Sequence, residues 1–298
     1  MSEPDPPRTA NYVVAYEATE HGREAVELGV ALARLTAAEL RICLVLPELT
    51  NVPAKVPSSA SDYSALLNEQ AEAWLAEART FMPNDVVATT HVLLAESTSE
   101  GLIDAAIRFD SDRIVVGAAR SGLLQRFSIG SIANALLHAS PVPVALAPRG
   151  YRGMAPITRI TCAIGTRPGW ESLLDSLVAI THGLTVDVRL VTLVEIDAAR
   201  GGRPDEGTTS ASHLDEVLSR FSSLSHSLGE VTTEVATGSS IENAIESMDW
   251  HAGEIAFVGS SRLAQPSRIF IGATANRMLH SLPVPLIVVP TTTRRTTP

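Results

Sequence analysis

The chain has 298 residues, 45% hydrophobic and 19% charged, enough to build two globular cores. Its 23 basic and 33 acidic residues leave a net charge of −10, which excludes a nucleic-acid partner held through its phosphate backbone. Lys55 is the only lysine, so a Walker-type phosphate loop, a Schiff-base lysine and a polybasic membrane patch are all excluded.

The first ten residues, MSEPDPPRTA, are acidic and proline-rich without an apolar h-region, so no signal peptide is expected there. The longest apolar stretches fall far short of the ~20 residues that span a bilayer. These features point to a cytoplasmic protein with no membrane partner. Cys43 and Cys162 stand singly inside apolar runs and read as buried free thiols, which suits a reducing compartment.

Residues 11–16 (NYVVAY) read as a strand, and residues 20–36, rich in Ala, Val and Leu, as a helix. A second strand is expected over 41–46, then a proline-containing loop to about Ser61, of which 47–57 is either a lid on the pocket or, by default, a solvated connection. Leu67, Ala71, Trp74, Leu75, Ala78 and Met82 then recur at helical spacing. A strand over 86–94, a helix over 99–108, a strand over 113–118, a helix over 131–139 and a strand over 143–147 complete the first half. Residues 149–156 (RGYRGMAP) are turn formers and read as a linker. The second half repeats the order, with strands near 158–164, 186–194, 231–237, 254–259 and 284–289. Its long helix carries Val217, Phe221, Leu224 and Leu228 on one apolar stripe. Trp74 and Phe221 are expected in the core.

Alternating strands and helices imply right-handed crossovers and a parallel sheet covered on both faces. Ligands in such sheets sit beyond the carboxyl ends of the strands, where the strand order reverses. Gly117 and Gly259 stand at that end of the fourth strand of each half.

Around these glycines the chain repeats itself. Gly117, Arg120, Gly130, Ala133, Asn134, Leu137, His138, Pro141, Val142, Pro143 and Pro148 all recur 142 positions later, as in 259 − 117. Such a register marks a duplication. Gly117 is a place where the backbone turns sharply or lets a ligand approach. Gly130 and Ser131 open the following helix, whose first N–H groups and dipole favour an anion. Spacing alone is also met by a strand end and a helix cap that hold no ligand.

The segments Gly117-x2-Arg120-x9-Gly130-Ser131 and Gly259-x2-Arg262-x9-Gly272-Ala273 resemble the universal stress protein family. Its nucleotide-binding members carry Gly-x2-Gly-x9-Gly-Ser/Thr after the fourth strand. The strand ends VVAYEAT and TCAIGTR and the closing PVPV and PVPL add to the resemblance, which spans nearly all of residues 11–290. It implies two tandem domains, 11–148 and 157–290. Each would be a doubly wound, Rossmann-like five-stranded parallel α/β sheet of order 3-2-1-4-5, of the adenine-nucleotide alpha hydrolase-like type. The fifth strands would pair in an internal pseudo-dimer, with a homodimer as a further level of assembly.

The resemblance further implies a regulatory module of the stress response; an ATP-hydrolysing enzyme is the weakest alternative and is not expected, because no metal-binding carboxylate or general base apart from Glu17 stands near the loop. ATP would be a non-obligatory ligand, and a regulatory protein of unstated identity the partner. The nucleotide-binding residues it implies are Glu17, Val45, Gly117, Arg120, Gly130, Ser131 and Ile132. Glu17 replaces the family's Asp with a longer carboxylate. Arg120, at the second glycine, either blocks close phosphate approach or clamps phosphates with its guanidinium, and Gly122 offers a shifted turn. In the second half Gly165, Arg262 and Ala273 occupy the three positions, with Thr274 one residue late, and the site reads as degenerate. The alternative is a nucleotide-free scaffold of the same fold.

The eight histidines form no metal-ligand pattern, and no G-x-S-x-G elbow occurs. His138 and His280 recur late in a helix, where capping or packing is the expected role.

Overall fold

The computed structural model describes residues 9–48, 59–117, 130–166, 169–196, 205–225, 229–260 and 269–290. Its first strand, β1 (Asn11–Ala15), is buried almost throughout, as parallel strands covered on both faces must be. Thr19 caps the next helix, α1 (Glu20–Thr36), by accepting from the Gly22 N–H, and Ala37 in the left-handed region ends it. β2 (Glu39–Pro47), α2 (Ser59–Thr80), β3 (Ala88–Ala95), α3 (Thr98–Arg108), β4 (Arg113–Gly117), α4 (Ser131–Ala139) and β5 (Val144–Ala147) complete the first half. The second half contains β6 (Arg159–Ala163), α5 (Trp170–Thr181), β7 (Asp187–Glu195), α6 (Asp205–Leu224), β8 (Val231–Gly238), α7 (Ile241–Glu246), β9 (Glu254–Gly259), α8 (Ala273–Ser281) and β10 (Leu286–Val289).

The expected elements are all present, with ends displaced by a few residues. Helix α2 starts at Ser59, ahead of the loop end expected near Ser61. Phe221 is fully buried, and Trp74 packs against the same core. Leu228 lies outside the described residues, as does most of the 47–57 connection. Both cysteines are buried and free.

Each half has the order 3-2-1-4-5, but the two sheets are one. The full order is β3-β2-β1-β4-β5-β10-β9-β6-β7-β8. At the seam β5 and β10 pair antiparallel, with Leu286 opposite Leu146, Ile287 opposite Ala145 and Val288 opposite Val144. Helices α1, α2, α5 and α6 cover one face, and α3, α4, α7 and α8 the other. Both apolar layers run across the seam. The Ile269 N–H donates to the Ser140 carbonyl at 3.0 Å and Ile271 to Leu137 at 3.1 Å. His138 Nδ1–H donates to the Asn134 carbonyl at 2.7 Å, and the ring meets Phe270 edge-on, a packing role.

The second half holds a buried ionic network. Glu254, with no side-chain exposure, takes Arg159 at 2.5 Å and Arg189 at 2.7 Å, and bonds to the Thr161 hydroxyl. Burial opposes its ionisation, yet the hydrogen bonds from Arg159 and Thr161 and the charges of Arg189 and Arg159 outweigh burial and hold its pKa below the usual range. A depressed folded-state pKa contributes stability above the unfolded carboxyl value, about 4.3, which is lost as pH falls through the folded value. Glu254→Gln should cost about 3 kcal/mol at neutral pH, because two arginines lose their buried counter-charge. Calorimetric melting of both proteins should find the difference shrinking below pH of about 4.

Candidate functional site

Strand β1 pairs β2 on one side and β4 on the other, so the strand order reverses at β1. A cleft of about 280 Å³ opens there, beyond the carboxyl ends of the strands. Its floor is Ala15 and Tyr16 after β1, Cys43 of β2, and Val116 and Gly117 of β4. Its walls are Glu17, the first turn of α1 (His21, Gly22), Thr98 of α3, and Gly130, Ser131, Ile132 and Ala133 at the start of α4.

Five of the sequence-derived residues therefore converge: Glu17, Gly117, Gly130, Ser131 and Ile132. Val45 does not line the cleft; it packs against α3, where a Cβ on Gly101 would lie 2.8 Å from its Cγ1. Arg120, Gly122 and Arg262 lie outside the described residues. Sequence reasoning missed His21, Thr98 and Cys43. The histidine alone carried a signal, an ionisable side chain within the first turn after the β1 end.

Three helix N-termini border the cleft. Thr19 caps α1 and Ser97 caps α3 through the Glu100 N–H. Helix α4 differs, because its N-cap is Gly130 and no described side chain caps it. Ser131 is the first helical residue rather than the cap. Among the described residues no side chain takes the leading N–H groups of α4, and with the helix dipole these groups favour an anion. Glu17 stands exposed on the opposite wall. Burial, with Glu77 second, pushes the Tyr16 phenol up, and burial pushes the Cys43 thiol up to about 12. The floor is therefore neutral and unreactive at ordinary pH. Among the described residues no three His, Cys, Asp or Glu side chains converge as metal ligands.

Gly117 has a structural duty besides any ligand. A Cβ built on it would overlap the backbone carbonyl of His21, so glycine lets α1 press onto the end of β4. In the second half the nearest described neighbour of a Cβ on Gly259 is the Leu173 side chain, at 3.6 Å. There Gly165 offers no carboxylate and Ala273 no hydroxyl at the start of α8. On that rim Arg277 of α8 donates to Glu242 of α7 at 2.7 and 2.8 Å and to Glu195 of β7 at 2.8 Å. The Arg277 hydrogen bond is the main cause that brings the Glu242 carboxyl down to about 2.

A model of the universal stress protein family matches residues 10–148 and 156–290. The universal stress protein Rv2319c of Mycobacterium tuberculosis is 28% identical over 296 residues, covering 93% of this chain and 99% of that protein. The crystal structure of a universal stress protein from Archaeoglobus fulgidus superposes with a TM-score of 0.62 at 14% identity, covering 95% of this chain and 98% of that one. Protein PA1789 of Pseudomonas aeruginosa gives 0.58 at 14% identity, covering 95% and 92%.

The steric difference between the two strand-end glycines is measurable. Gly117→Ala should cost about 1–3 kcal/mol by overpacking, whereas Gly259→Ala should be neutral or gain about 0.5 kcal/mol from a less flexible unfolded chain. Urea unfolding of both variants compares them directly.

Proposed function

The chain belongs to the universal stress protein family, and we propose that its first half is an adenine-nucleotide-binding regulatory module, with ATP as ligand, while the second half is a degenerate copy. The observation that carries this reading is the convergence of the uncapped α4 N-terminus, Ser131, Gly117 and Glu17 around one cleft at the strand-order switch. An adenosine group would sit against Ala15, Val116 and Ile132, with Glu17 facing its polar edge or ribose. Phosphates would take the N–H groups opening α4 and the Ser131 hydroxyl. The protein would act by binding rather than by turnover, in the cytoplasm. Occupancy would bias its association with a regulatory partner.

The second half supports a single-site stoichiometry. It lacks the carboxylate and hydroxyl, and the Arg277–Glu242–Glu195 ion pairs tie α7, α8 and β7 together across its rim. One observation favours the second reading, a nucleotide-free scaffold. The first cleft, about 280 Å³, lies just below the roughly 300–1,000 Å³ usual for small-molecule pockets.

Calorimetric titration with ATP decides between them. The expected result is saturable binding at one site per chain, lost at least tenfold in Gly130→Leu, since a side chain there obstructs the α4 amides. The matching Gly272→Leu should change affinity little. Absence of saturable binding below millimolar ATP, with the protein folded by circular dichroism, would favour the scaffold.

A further inference from the structure

The antiparallel seam has a consequence for the linker. Because β5 and β10 run in opposite directions, the strands of the two halves present their carboxyl ends at opposite edges of the sheet. The linker leaves the carboxyl end of β5 and enters the amino end of β6. It therefore crosses the same edge as the first cleft, and it does so along α1. Arg152 pairs with Glu20 at 2.9 Å. The Gly150 N–H donates to Glu24 Oε1 at 2.6 Å, with Gly150 at φ +79, a conformation that favours glycine. Gly153, at φ +56, lies against the Glu27 carbonyl.

Glu24 is the unusual member of this set. It is a carboxylate with 2% exposure on a helix. Such a group persists only where donors satisfy it. Among the described residues it has two, one on each oxygen: the linker amide of Gly150 and, at 3.2 Å on Oε2, His21 Nδ1. His21 lines the cleft, and its Nε2 has no partner among the described residues. The pair is confined to the first half. Burial aligns Leu173, Leu174, Ser176 and Leu177 of α5 with Ala25, Val26, Leu28 and Gly29 of α1, which puts Gly169 and Ser172 where His21 and Glu24 stand.

We infer that the His21–Glu24 pair is a joint between the first-half cleft and the linker, so that an anionic ligand bonded by the imidazole tightens residues 149–153 against α1. An anion oxygen bonded at Nε2 would sit at one end of a continuous hydrogen-bond chain that runs through the ring, His21 Nδ1 and Glu24 to the Gly150 amide. The carboxylate is fixed more firmly, and so is the amide on its other oxygen. The nucleotide arm of this inference rests on the function proposed above; the link from His21 to Gly150 does not.

The test is hydrogen exchange of the linker amides in the full chain, with ATP binding measured by titration on the same samples. His21→Ala and Glu24→Gln should each speed exchange of 149–153 roughly tenfold, the scale of one charged hydrogen bond, relative to β7 as an internal reference. The double variant should be no faster than the faster single variant, since both act through one carboxylate. ATP should slow linker exchange in the wild type and not in His21→Ala. If Glu24→Gln loosens the whole chain, β7 will report it, and His21→Ala with His21→Gln then carries the comparison. Wild-type linker exchange in both His21 variants would overturn the joint, as would ATP that binds without changing linker exchange. If ATP does not bind, the nucleotide reading fails while the His21 variants still decide the joint.

Discussion

The pairing of β5 with β10 is the interaction on which the rest of the molecule depends. A half on its own would leave the fifth strand as an open edge with unpaired N–H and C=O groups, a site for uncontrolled association. Short, wholly buried strands meet there instead, four residues in each. The apolar layers on both faces continue across the join, and the segment before α8 hydrogen-bonds to the end of α4. The remaining open edges are β3 and β8, each eight residues long and the farthest strands from the seam.

The same seam explains why two copies of one sequence need not share one task. Antiparallel pairing sends the two carboxyl edges to opposite sides, and only the first is crossed by the linker. The first copy has an α1 pressed so tightly onto the end of β4 that Gly117 tolerates no side chain, and Gly22 tolerates none against the Glu17 backbone. Its buried carboxylate reaches the linker. The second copy is relaxed at the matching glycine, and its polar residues have gone elsewhere. Arg277, Glu242 and Glu195 hold its helices at the carboxyl edge, and Glu254 with two arginines fills the amino edge.

Much of the fold was legible because the signals were periodic. The stripe Leu67–Ala71–Leu75–Ala78 is buried or half-buried as its spacing requires, and the continuous apolar runs of β1, β4 and β5 could only be strands covered on both sides. Gly117, Gly130 and Ser131 were legible as a site because a strand end and a helix start fall at the sheet's order reversal. Their local duties were less so. Gly117 answers to the backbone of α1, a neighbour 96 positions away in the chain (117 − 21), and helix capping falls to Gly130 rather than Ser131. Val45 was placed by the family pattern, while its packing is set by α3.

Glu24 is the clearest case of what spacing could not reveal. In the sequence it is one more acidic residue on an amphipathic helix, three positions after a histidine, and a solvated helix face is the ordinary reading. Its burial follows from a contact 126 positions away, with the linker amide at 150, and that contact exists only because the seam turns the chain back across α1. A carboxylate in such a place costs stability unless both oxygens are served. Once the linker serves one, the cleft histidine is the natural donor for the other. The duplication thus supplied two equivalent folds, and the single connection between them made the copies inequivalent.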